Sequence, residues 1–142
     1  MARSAADPLR AALKALARRE LSAAELVERL TRLGISADDA AHAVDTLREA
    51  GYQSDERTAS ERARVLSDRG LGDAAIKADL QRRRIKVDID LVIAGLPPEH
   101  ARAERLAGRI GHRRRLAQTL LRKGYSEDTI IAFTGAHVAD PL

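Results

Sequence analysis

The segment Leu26-Val-Glu-Arg-Leu30-Thr-Arg-Leu-Gly34-Ile35-Ser36-Ala37-Asp38 decides the fold, because its pattern returns twice along the chain. Ile76 and Leu80 precede Arg84-Ile85-Lys86-Val87-Asp88, and Leu116 and Leu120 precede Gly124-Tyr125-Ser126-Glu127-Asp128, at offsets of 50 and then 40 residues. Apolar residues four apart share a helical stripe, Gly34 suits the left-handed end of a helix, and the polar or acidic run that follows starts another. A grammar repeated at this spacing marks units too small to bury their own apolar faces, so they stack on their neighbours.

Working outward, Ser22-Ala-Ala-Glu25 has the pattern of a capping box and predicts a helix starting at Ala23. Leu9, Leu13, Leu16 and Ala17 share a stripe ahead of the break at Glu20-Leu21-Ser22, which places another helix before it. Ser36-Ala-Asp-Asp39 starts a third, running to about Ala50 and ending before Gly51. Junctions fall at Gly51-Tyr52 and at Gly95-Leu96-Pro97-Pro98, where proline forbids helix continuation. The expected fold is all-α: three tandem three-helix repeats, residues 9–51, 52–96 and 97–135, stacked into an elongated, gently curved array. Flexible ends are expected at residues 1–8 and 136–142.

Composition agrees with helices. Of the 142 residues 44% are hydrophobic, but only two Tyr and one Phe are aromatic, so the core must be built from Leu, Ile, Val and Ala. The absence of Cys removes disulfides, thiolate catalysis and the usual structural zinc sites, and fits a reducing cytoplasm. The opening Met1–Pro8 lacks the apolar core of a signal peptide, and no apolar run approaches the roughly 20 residues needed to span a bilayer. A cytoplasmic monomer without membrane contact is expected.

Candidate chemistry is sparse. His42, His100, His112 and His137 show neither metal-ligand spacing nor a nucleophile partner. The carboxylates read as caps or as partners of nearby arginines, as with Glu25 and Arg29, or Asp45 and Glu49 beside Arg48. Gly70-Leu71-Gly72 lacks the Lys and Ser/Thr of a phosphate-binding loop. No enzyme, cofactor or metal is expected.

The charge is more informative. Net charge is +4, with eight basic against eight acidic residues over 1–51, nine against eight over 52–96, and eight against five over 97–142. The clusters Arg82-Arg83-Arg84-Ile85-Lys86 and Arg113-Arg114-Arg115, with Arg122 and Lys123, are candidate contacts to phosphate or to an acidic protein surface. Ordinary solvated helix faces explain the same residues about equally well. Sequence-specific base reading is disfavoured, because helices opening with Ala37-Asp-Asp39, Val87-Asp-Ile-Asp90 and Glu127-Asp128 would set carboxylates against DNA. Tyr52 and Tyr125, each beside a glycine, read as packed at helix junctions and not as stacking platforms for bases.

Leu16-Ala-Arg-Arg-Glu-Leu-Ser22-Ala-Ala-Glu-Leu26, followed by Gly51-Tyr52-Gln-Ser-Asp55-Glu56-Arg57-Thr-Ala59, resembles the opening half of RecX proteins, and the similarity extends more weakly to about Gly135. Tyr52, Asp55, Glu56 and Arg57 fit the family's inter-repeat junction. Physically, Asp55 can cap the next helix, Glu56 suits its positive end, and Tyr52 can pack between units. Gln53 and Thr58 stand where that family usually has apolar residues, Leu21 replaces a usual His, and Arg84 stands where Gly is common. The resemblance implies a regulator, mainly an inhibitor, that binds the RecA filament on DNA and restrains ATP hydrolysis, strand exchange and co-protease activity. The competing readings are a nonspecific DNA- or RNA-binding helical protein and a generic helical-repeat scaffold.

Overall fold

In the computed structural model the described residues are 7–135, and among them the chain forms nine helices and no strand. They are α1 (Pro8–Arg18), α2 (Ala23–Arg32), α3 (Ala37–Glu49), α4 (Asp55–Asp68), α5 (Asp73–Arg82), α6 (Ile89–Ala94), α7 (Glu99–Arg109), α8 (Arg113–Arg122) and α9 (Glu127–Thr134). Of the expected flexible ends, residues 1–6 and 136–142, with His137, lie outside the described residues. Asp7 and Pro8 do not belong to such an end: Asp7 caps α1 through Oδ1, which accepts from Leu9 N at 3.1 Å, and Pro8 is its first residue.

The helix starts follow their caps. Ser22 Oγ accepts from Glu25 N at 3.0 Å while Glu25 Oε1 accepts from Ser22 N at 3.0 Å, the reciprocal box expected before Ala23. The predicted α1 stripe needs correction. Ala12 and Ala15 are the buried residues, whereas Leu9 and Leu13 are each 40% exposed. Small side chains let α1 approach α2 and α3 closely, so Leu9 and Leu13 are left on the outer face, while Leu16 packs against the edge of the core. Leu33, at the end of the α2 stripe, is likewise exposed because it is the C-cap residue.

The chain divides into two compact units. The described part of the first is residues 7–59 with 82–87, and of the second 60–81 with 88–135. Leu21, Leu26, Leu30, Ile35, Val44 and Leu47 form the core of the first with four alanines. Leu106, Leu116, Leu120, Tyr125 and Ile130 form that of the second with Ala103 and Ala117.

Each unit contains the same tie. In the first, Asp55 Oδ1 accepts from Ala23 N at 2.8 Å, Asp55 Oδ2 accepts from Lys86 N at 2.7 Å, and Ser22 Oγ donates to Arg83 O at 2.7 Å. In the second, Glu99 Oε2 accepts from Asp73 N at 2.9 Å and Glu99 Oε1 from Ser126 N at 2.9 Å, while Gly72 N donates to Lys123 O at 2.8 Å. Residues 23 and 73, and 86 and 126, stand at the same offsets of 50 and 40 as the sequence repeat. A helix start has orphan N–H groups and a positive dipole end, and one carboxylate satisfies both needs.

Asp55 therefore does not cap its own helix. Ser54 does, its Oγ accepting from Arg57 N at 3.1 Å. Gln53 is buried and donates from Nε2 to Asp55 Oδ1 at 2.8 Å and to Leu21 O at 3.2 Å, so the polar residue found where the RecX pattern is apolar orients the carboxylate. Where the first unit uses the Ser22 hydroxyl, the second uses backbone alone. A Cβ on Gly72 would fall 2.5 Å from the Gly124 carbonyl.

The turn after the middle helix of each repeat needs a left-handed residue: φ is +91° at Gly34, +54° at Arg84 and +86° at Gly124. Arg84 pays the Cβ–carbonyl clash that glycine avoids. Arg84→Gly is therefore expected to be more stable than Arg84→Ala by about 1 kcal/mol, both variants having lost the guanidinium; equal urea midpoints would contradict this.

Burial pushes the Glu99 carboxyl up, but N–H donors at Ser126 and Asp73 and the hydroxyls of Thr129 and Ser126 outweigh it, leaving the pKa below its ordinary 4.5. A lowered folded pKa adds stability that is fully present above pH 4.5 and is lost as pH falls through the folded value. Glu99→Gln should cost about 2 kcal/mol at neutral pH. The gap from the parent protein should narrow in acid, as read by urea melts across pH.

Candidate functional site

The cations singled out in the sequence fall into two groups, one in each unit. In the first, Arg82 is exposed at the end of α5, and the loop after it carries Arg83, Arg84 and Lys86. Arg83 and Arg84 already have carboxylate partners. Arg83 Nη1 lies 3.5 Å from Glu25 Oε2, and Arg84 pairs with Glu28. The hydrogen bond from Arg84, joined by the charges of Arg32 and Arg84, holds the Glu28 carboxyl below its ordinary range. Lys86 is exposed, and its backbone N–H is the one taken by Asp55.

Arg84 and Lys86 border a groove of about 610 Å³ between α2 and α3. Its floor is Ala23, Ala24, Val27 and Val44, and its rim mixes Arg48, Arg84 and Lys86 with Glu28, Asp45, Asp55 and Glu56. The rim carries three cations against four carboxylates, so the groove holds no net positive field for a phosphate.

The second group is different. Arg113, Arg114 and Arg115 are the first three residues of α8, all exposed, with no acidic residue in that turn. His112 caps the helix, Nδ1 accepting from Arg115 N at 3.3 Å. None of the three arginines forms an ion pair among the described residues. Cations at a helix N-terminus oppose the dipole by roughly 0.3–1 kcal/mol each, so local helix stability does not account for them. Arg122 and Lys123 occupy the other end of α8, roughly 13 Å away at about 1.5 Å per residue, where the dipole favours them. Lys123 Nζ donates to Arg69 O at 3.3 Å. Thus the α8 cations sit at its two ends and do not form one patch.

The junction residues serve the first unit. Arg57 donates from Nε to Glu20 Oε1 at 2.7 Å, from Nη2 to Tyr52 O at 2.9 Å and from Nη1 to Gly51 O at 3.2 Å, fastening the end of α3 to the segment before α2. Glu56 is exposed in the first turn of α4. Tyr52 is 60% exposed, contrary to the packed role expected of it; its backbone is used and its ring is not. Tyr125 does pack, 5% exposed, and its hydroxyl donates to Gly70 O at 2.7 Å.

Sequence reasoning missed Glu99 and Arg102. Arg102 is 1% exposed, donates from Nη1 to Leu71 O at 2.6 Å and pairs with Asp73. The offset of 44 between Asp55 and Glu99, both opening the first helix of a repeat, was the available signal for Glu99. Of the histidines, His42 is exposed and His100 lies against Phe133 with ring centroids 4.9 Å apart. Among the described residues no three His, Cys, Asp or Glu gather to hold a metal ion, and no helix is long and apolar enough to cross a membrane.

Residues 9–47, which span α1 to α3, match the family model described as RecX, first three-helix domain. A regulatory protein RecX from Acidithiobacillus ferrooxidans is 36% identical over 136 residues, covering 92% of this chain and 90% of that protein. One from Stenotrophomonas maltophilia is 34% identical over 136 residues, covering 87% and 82% respectively. The crystal structure of RecX from Lactobacillus salivarius superposes with a TM-score of 0.74 at 24% identity, over 89% of this chain and 91% of that one, and so shares the fold. With a RecX-type first domain and relatives of this identity along most of their length, the chain belongs to the RecX family of regulatory proteins.

Proposed function

We propose that this chain is a cytoplasmic, non-enzymatic regulator, mainly an inhibitor, of the RecA recombinase, acting as a monomer on the RecA–DNA filament. The observation that carries the reading is the Arg113–Arg115 triplet. It is exposed, lacks carboxylate partners, and sits where the dipole of α8 repels it. Such a turn gains most when an anionic surface arrives, whether an acidic face of the filament or its DNA phosphate. Arg122 and Lys123 extend the contact to the other end of α8. Arg82, Arg83, Arg84 and Lys86 act alongside, with Arg83 and Arg84 partly screened by Glu25 and Glu28.

In mechanism, the repeats 9–51, 52–96 and 97–135 present successive helix ends to the filament, so one molecule engages more than one protomer. A molecule bound to several protomers locks or caps its neighbours, which would restrain ATP turnover and strand exchange. Long-range attraction by the cations speeds encounter, and falls with added salt.

Two measurements check this reading. Titrating the protein into DNA-stimulated ATP hydrolysis by the cognate RecA on saturating single-stranded DNA should inhibit well below one molecule per protomer. No inhibition, together with salt-sensitive binding to bare DNA, would transfer the assignment to a nonspecific DNA-binding protein. Arg113→Glu/Arg114→Glu should weaken inhibition at least tenfold while raising stability by about 1 kcal/mol, because glutamate suits the first turn of α8. Unchanged inhibition by a folded variant would remove α8 from the contact.

A further inference from the structure

A second cationic surface lies in the first unit, in a stretch whose net charge is zero. Arg10, Lys14 and Arg18 follow one another at four-residue intervals along one edge of α1, and Arg29 faces them from α2. Together they border a groove of about 480 Å³ whose floor is Ala11, Ala15 and Leu33. Leu33 is 60% exposed.

None of these four cations makes an ion pair among the described residues. Among the described residues the one carboxylate lining the groove, Asp7, is occupied with the start of α1, accepting from Leu9 N at 3.1 Å and Arg10 N at 3.4 Å. Glu25, which helical spacing offers to Arg29, is turned instead to Ser22 N at 3.0 Å and Arg83 at 3.5 Å. Like charges four residues apart weaken an isolated helix, so the α1 row is unfavourable for the unit by itself.

We infer that the groove between α1 and α2 docks an acidic protein segment bearing apolar side chains. The cations call for carboxylates spaced about 6 Å apart, the advance of four residues along α1. The apolar floor calls for a leucine-like side chain between them. A nucleic-acid backbone supplies the charge but nothing for Ala11, Ala15 and Leu33, whereas an amphipathic acidic segment satisfies both. This surface shares no residue with the α8 cations, and its assignment does not depend on the filament reading.

The probe is a fluorescein-labelled twelve-residue Glu/Leu peptide, compared by anisotropy with a Glu/Ser peptide of equal charge and a single-stranded thymidine oligonucleotide. The Glu/Leu peptide should bind the full chain most tightly. Lys14→Glu/Arg29→Glu should weaken it at least tenfold and Leu33→Ser severalfold. Equal binding of the two peptides, or a loss confined to the oligonucleotide in the Lys14→Glu/Arg29→Glu variant, would make this a phosphate-binding surface and overturn the proposal. Should that variant not fold, ¹⁵N-labelled parent protein decides the matter. Peptide-induced shifts at the amides of Ala11, Ala15 and Leu33 support the groove, and shifts only elsewhere refute it.

Discussion

Burying the start of a helix creates a demand for acceptors that apolar packing cannot meet, and in this chain one carboxylate meets it for two segments at once. Asp55 joins the start of α2 to the loop ahead of α6, and Glu99 joins the start of α5 to the start of α9. The acid thus stands at the opening of one helix and serves other helices, which couples repeats that are adjacent in sequence. Alanine-rich helix faces bury modest area per residue, and directional ties of this kind supply the register that such faces leave loose. Gly72 and Gly124 show how close the approach becomes, since neither position has room for a Cβ.

Those ties also sort the charges. Glu25 completes the cap of α2 and pairs with Arg83, Glu28 pairs with Arg84 and Arg32, and Asp79 pairs with Arg62. Carboxylates absorbed in this way are withdrawn from the arginines that sequence spacing would assign to them, Arg29 above all. A chain of small net charge thereby acquires local concentrations of uncompensated cation, at the first turn of α8 and along α1. Both are placed where helix electrostatics disfavours them, so they oppose local stability and suit the arrival of an anionic surface.

Much of the fold was legible because it rests on local rules. The Ser22–Glu25 box, the left-handed positions at 34 and 124, and the 50- and 40-residue offsets depend on neighbours within one or two turns, and each appears in the structure. Even Arg84, unusual in a place that wants glycine, holds the expected left-handed backbone. The α1 stripe was misread because periodicity marks a face without weighing residue size: Ala12 and Ala15 were the better contact where helices come close. Tyr52 was misplaced because a glycine neighbour locates a turn and does not say which way the ring points. Of the candidate site, the clusters themselves could be read off the chain, but not which of their charges were already paired.

The amino-acid sequence alone therefore determined the helical class and most helix ends, since capping and periodicity act over a few residues, while the family was legible only through the resemblance of its motifs. Tertiary structure decided which carboxylate answers which N–H, which cations are neutralised and which face outward. Those outcomes turn on contacts between residues 23 and 55, 25 and 83, or 73 and 99, and charges that far apart in sequence interact only once folding brings them within a few ångströms.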